Sequence, residues 1–110
     1  MERKFVIMWC NEGLEGIVDI TQLERAQLMQ TLQGTDRTNN DYMFLHHMTM
    51  RARMNPQRHY EIFLITAQEG ITSSDIKQMF ENSPQTSAET IRKIGTELYS
   101  DRATKKPLIS

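Results

Sequence analysis

Five residues near the middle of the chain combine cationic side chains with an aromatic ring. They are Arg51, Arg53, Arg58, His59 and Tyr60. Guanidinium groups bind phosphates, and a ring beside them can stack on a base. This stretch is therefore a candidate binding site for a nucleic acid. On the alternative interpretation the arginines cover a solvated outer strand, where they prevent pairing with another chain and find acidic partners such as Glu61 or the acidic groups of the first half.

Methionines gather in the same region. Four of the eight lie at positions 43, 48, 50 and 54, and Met48, Met50 and Met54 form a candidate interface. Methionine side chains adapt to the surface of a partner, although they are also common in protein cores. If this segment is an exposed strand, a helix or a second subunit must cover its apolar face. We therefore expect a homodimer.

The histidine pair and the single cysteine are weaker candidates for chemistry. His46 and His47 are adjacent, so they point to opposite sides of a strand or about 100° apart on a helix, which is poor geometry for chelation. Cys10 would need a neighbouring base to act as a nucleophile, and a cysteine that closes an apolar strand is usually part of the core. Phosphate-binding glycine loops and the common hydrolase and zinc motifs are absent. We expect no enzyme activity, cofactor, metal or catalytic residue.

The segment that positions most of these residues, 42–54, fits two secondary structures. As a strand it alternates well, with Tyr42, Phe44 and the methionines at even positions on one face. As a helix it contains good helix formers, but its apolar residues fall on two sides. The strand is favoured, because Asn55-Pro56 suits a turn and 59–66 is a clear strand. This interpretation gives a hairpin over 44–66.

The remaining segments predict strands and helices around that hairpin. Strands are expected at 4–10 and 15–20, and Pro107-Leu108-Ile109 could add an edge strand. Capping-box spacings predict helix starts at Thr21 with Glu24, Thr72 with Asp75, and Thr86 with Glu89. The first of these helices would end at Gly34 and the second at 82–84, whereas the third would place Ile91, Ile94 and Leu98 on one face.

These elements predict an α+β fold, a two-layer sandwich with a mostly antiparallel sheet and helices on one face. If the run at 15–20 only extends the first strand and the tail supplies the last one, the order becomes ferredoxin-like. The 110 residues, 12.9 kDa in mass, suit a single domain over 1–110 whose tail from about 101 is loose.

Charge is distributed unevenly along the chain. The net charge is −1, from 13 basic and 14 acidic residues, which disfavours a surface that binds polyanions everywhere. Two basic islands, 51–58 and 91–110, nevertheless interrupt an acidic chain. Nucleic-acid binding therefore depends on whether the two islands share one face. No run approaches the roughly 20 apolar residues that span a bilayer, so we expect no membrane contact and a cytoplasmic location.

Three strings in the second half, RARMNPQRHYEIF (51–63), EGITSSDIKQMFENSP (69–84) and AETIRKIGTELYSDR (88–102), resemble small uncharacterised proteins of contractile-tailed phages that infect marine cyanobacteria. KFVIMWCNEGLE near the start resembles them more loosely. Those proteins have no assigned activity, so the resemblance implies only a context, the cytoplasm of an infected bacterial cell or the virion. The resulting hypothesis is a non-enzymatic phage-type accessory protein that acts as a homodimeric protein-binding module. The alternative is a nucleic-acid-binding accessory protein that uses Arg51, Arg53 and Arg58.

Overall fold

The computed structural model describes residues 2–11, 13–24 and 43–100. In chain order the elements are β1 (Arg3–Cys10), β2 (Gly13–Asp19), α1 (Met43–Met54), β3 (Tyr60–Ala67), α2 (Ser73–Asn82), α3 (Pro84–Ile94) and β4 (Thr96–Ser100). The strands form one sheet in the order β2-β1-β3-β4, and every neighbouring pair is antiparallel. The predicted α+β class with an antiparallel sheet is confirmed.

The central strand β1 is apolar on both of its faces, as its sequence predicts. Val6, Met8 and Cys10 lie in one buried cluster, whereas Phe5, Ile7 and Trp9 lie in the other. Because successive side chains of a strand alternate between the two sides, the sheet separates two cores. Along β3, Tyr60 and Ile62 belong to the first core, and Phe63 and Ile65 to the second.

Helices α2 and α3 share one face of the sheet. They bury Ile76, Phe80, Ala88 and Ile91 against the core that contains Trp9. A capping box begins α2: the Asp75 backbone N–H donates to Thr72 Oγ1 at 3.2 Å, and the Thr72 N–H donates to Asp75 Oδ2 at 2.8 Å.

The segment 43–54 is a helix, so the predicted strand at 42–54 and the hairpin over 44–66 are wrong. Helix α1 covers the other face of the sheet and buries Leu45, Met48, Thr49 and Ala52. These positions have the i, i+3, i+4, i+7 spacing of one helical stripe. The apolar residues that obscure this stripe in the sequence, Met50 and Met54, are exposed.

The end of the chain also differs from the prediction. No side chain caps α3, which begins at Pro84 rather than at the expected Thr86–Glu89 box. It ends at Ile94, so Leu98 lies in β4. The ferredoxin-like order is not confirmed, because it required the run at 15–20 not to be a strand of its own. Most of the predicted helix at 21–34 and the edge strand at 107–109 lie outside the described residues.

Candidate functional site

An irregularity in the pairing of β2 with β1 places one carboxylate among cationic side chains. Leu14 pairs with Trp9 and Gly16 pairs with Met8, so Glu15 is an extra residue in β2. Such a bulge breaks the alternation of side chains and redirects the inserted one. Glu15 thereby reaches the side of the sheet that α1 covers.

Glu15 contacts two arginines from different elements. Nη2 of Arg58, in the loop before β3, donates to Glu15 Oε1 at 3.1 Å, and Nη1 of Arg51, in the last turn of α1, lies 4.0 Å from Oε2. Both arginine side chains are 57% exposed, whereas the Glu15 side chain is 25% exposed. We refer to Glu15, Arg51 and Arg58 as the Glu15 cluster. One carboxylate thus holds two guanidiniums together at the protein surface.

The Arg58 guanidinium also lies over the ring of Tyr60, 5.5 Å from its centroid. Tyr60 raises the pKa of Arg58, and Cys10 and Glu15 shift that pKa in the same direction. This shift adds to the ordinary preference of a guanidinium for its charged form. Tyr60 itself is only 1% exposed, so the expected stacking of its ring on a base is wrong. Tyr60 packs in the core, and the face of its ring contacts the Arg58 guanidinium.

The other sequence-predicted residues lie outside this cluster. Arg53 is exposed on α1 and His59 is exposed after the turn, so the structure joins Arg51, Arg58 and Tyr60 out of the five candidates. Met48 lies on the buried side of α1 and is a core residue, which corrects its assignment to an interface.

Met50 and Met54 are 40% and 71% exposed. With His47 and Arg51 they occupy i, i+3, i+4 and i+7 on the side of α1 opposite to its buried stripe. We call these four residues the outer α1 surface. The sequence of α1 contains no acidic residue, so this surface is apolar and cationic.

A second polar network is buried on the opposite face of the sheet. Glu61 accepts hydrogen bonds from Trp9 Nε1 at 3.0 Å, from Arg92 Nε at 2.9 Å and from Arg92 Nη2 at 2.6 Å. Arg92 also lies over the Trp9 ring, which stacks on Phe63. Arg92 therefore forms an ion pair with Glu61, whereas the sequence suggested Glu61 as a partner of the arginines near residue 51. The sequence does contain a sign of this contact. Glu61 lies on the same face of β3 as Phe63 and Ile65, and a glutamate on such an apolar strand face needs a cationic partner.

The histidine pair and Cys10 are the remaining candidates from the sequence. The His46 and His47 rings are 6.3 Å apart, and within 2–11, 13–24 and 43–100 no group of three histidines, cysteines or acids could hold a metal ion. Cys10 is a buried free thiol.

A groove of about 470 Å³ between β2 and α2 is lined by Leu14, Ile17 and Phe80, with charged residues at its rim. No helix in the described part is long and apolar enough to cross a membrane.

The described members of the two basic islands lie on opposite sides of the sheet. Arg51 and Arg53 belong to α1, whereas Arg92 and Lys93 belong to α3. No protein-family model matches this chain, and comparisons with curated proteins and with solved structures also give no match.

Proposed function

We propose that this protein is a small, non-enzymatic binding module that docks a partner protein on the outer α1 surface. The observation that carries the proposal is the exposure of Met50 and Met54 on a helix whose opposite side is fully packed. Residues four apart on a helix are neighbours, so both side chains can enter one apolar pocket of a partner. Methionine suits such a contact because it adapts its shape.

The exposed area is large enough to matter for binding. Complete burial of a methionine contributes about 1.5–3 kcal/mol. Scaled by exposures of 40% and 71%, burial of both side chains would contribute roughly 1 and 2 kcal/mol, or about a hundredfold in affinity. Two such residues make a small binding hot spot.

A homodimer was expected because an apolar strand face needed cover. That face does not exist, since α1 supplies its own buried stripe and covers the sheet. Docking of two outer α1 surfaces would also bring their arginines together. The proposal therefore names a partner other than a second copy, and light scattering tests the homodimer directly.

Nucleic-acid binding is the second candidate. Its support is the meeting of Arg51 and Arg58 at Glu15, together with the exposure of Arg53 elsewhere on α1. Against it, Glu15 neutralises part of this charge, the ring of Tyr60 is buried, and the described members of the other basic island lie across the sheet. The resemblance to phage proteins is compatible with either function, because it implies only expression in an infected cell.

The experiment is a selection from a displayed library of helical peptides, with the purified protein as bait. We expect enriched peptides to carry apolar residues three or four apart and to lose at least about 10-fold in affinity on Met50→Ser/Met54→Ser. Met79→Ser is the matched control, since Met79 is 42% exposed on α2. Circular dichroism confirms that each variant is folded. Peptides that bind the double variant and the wild type equally well contradict the proposal.

A further inference from the structure

We infer that the partner of the outer α1 surface is an acidic amphipathic segment, one carboxylate of which replaces Glu15 between Arg51 and Arg58. This inference rests on the proposed function and specifies the chemistry of its partner. Glu15 would then occupy, in the free protein, the position that the partner's carboxylate takes in the complex.

Arg51 connects the two parts of this site. It belongs to the outer α1 surface, next to Met50, and it also belongs to the Glu15 cluster. An acidic side chain that reaches the cluster is therefore close to the apolar contact with the methionines. This combination favours a helix with an apolar stripe and flanking acids over a uniformly charged polyanion.

Charge on α1 disfavours a second copy of the same surface as the partner. The helix carries Arg51 and Arg53 in its last turn and no acid. Two such helices would repel each other, whereas an acidic segment complements them.

The contacts of Glu15 are suited to exchange. Both arginines are more than half exposed, and the Arg51 contact is at the 4.0 Å limit of an ion pair. Each guanidinium has five N–H donors, so several remain for an incoming carboxylate. Exposed ion pairs contribute little to stability because water screens them, and their replacement is therefore easy. The Tyr60 ring holds the Arg58 guanidinium in place during the exchange.

The test uses two designed, fluorescein-labelled, alanine-based helical peptides of about 20 residues, long enough to be helical in water. Both carry two leucines four residues apart. One has three glutamates beside the leucines and its twin has glutamines. Fluorescence anisotropy gives their affinities for the wild type and for Glu15→Gln. Glu89→Gln is the matched control, because it makes the same change in net charge at an exposed position on α3.

We expect the acidic peptide to bind the wild type more tightly than its twin does. Glu15→Gln should raise the affinity for the acidic peptide about 3- to 10-fold and leave the twin unchanged, since a competing carboxylate is lost. Glu89→Gln should change neither affinity. Arg51→Gln/Arg58→Gln should remove the difference between the peptides.

Three results overturn the inference. If both peptides bind equally in a Met50- and Met54-dependent way, the proposed function stands and the acidic partner is wrong. If Glu15→Gln and Glu89→Gln raise the affinity for the acidic peptide equally, the increase comes from net charge, and the peptide's carboxylate does not replace Glu15. If a single-stranded oligothymidylate binds and neither peptide does, the protein recognises nucleic acid and the proposed function fails as well.

Discussion

The buried carboxylate of Glu61 allows a quantitative test of what joins α3 to the sheet. Arg92→Met keeps most of the length of the side chain but removes two of the three hydrogen bonds described for Glu61. Trp9 Nε1 then remains as the described donor. The positive charge of Arg92 is thereby removed from beside a carboxylate whose side chain is 7% exposed.

The expected loss is about 3 kcal/mol in the free energy of unfolding, at the lower end of the range for breaking a buried pair. The lower end applies because the Arg92 side chain is 24% exposed, so water can approach the site. Adding Glu61→Gln to Arg92→Met should restore about 1 kcal/mol or more. The amide carries no charge, and its oxygen can still accept from Trp9.

Trp9 is the chain's single tryptophan, so its fluorescence follows urea unfolding, with circular dichroism as a second probe. Arg53→Met, the same substitution at an exposed position, is the control and should remain within about 0.5 kcal/mol of the wild type. A loss on Arg92→Met as small as that on Arg53→Met would show that Arg92 does not stabilise the fold through Glu61. A double variant no more stable than Arg92→Met would show that the charge of Glu61 is not the cause of the loss.

Three further outcomes follow from local contacts. Burial raises the pKa of Asp19, but hydrogen bonds from Thr21 and the nearby Arg3 lower it further, to below its ordinary value. Asp19→Asn should therefore destabilise the protein at pH 7, and the difference should vanish as the pH falls below about 4, which a urea titration at several pH values checks. Thr72→Ala should cost about 1 kcal/mol, and the matched Thr86→Ala less than half of that, because only Thr72 caps a helix; equal losses in thermal unfolding would contradict this. Gly95→Ala should cost about 1–3 kcal/mol in urea unfolding, since a Cβ atom would lie 2.8 Å from the carbonyl oxygen of Ile91; an unchanged midpoint would contradict it.

The sequence predicts most of the sheet correctly because strands β1 and β3 are continuous apolar runs. It fails at α1 because a helix with exposed methionines has two apolar sides, and the period of 3.6 is then hidden. In 43–54 most even-numbered positions are also apolar, and this alternation is typical of a strand. The deciding factor is tertiary: Leu45, Met48 and Ala52 fit a sheet face that the chain itself supplies.

The candidate site was only partly predictable. The arginines near residue 51 stand out as a cluster of like charge, but their meeting point depends on the bulge at Glu15, which no local pattern marks. Glu15 and Arg58 are separated by 43 positions in the chain. The link from Glu61 to Arg92 spans 31 positions and likewise arises from the packing of α3 on the sheet. Contacts of this range follow from topology.

The division of the interior by β1 and β3 has a consequence for how such a protein evolves. Side chains on the two faces meet different neighbours, so substitutions at Leu45 and Phe80 should have additive effects on stability. The face that carries α1 can therefore change its residues without repacking the layer around Trp9. A lineage with this architecture can therefore vary its α1 layer while the α2 and α3 layer keeps its packing.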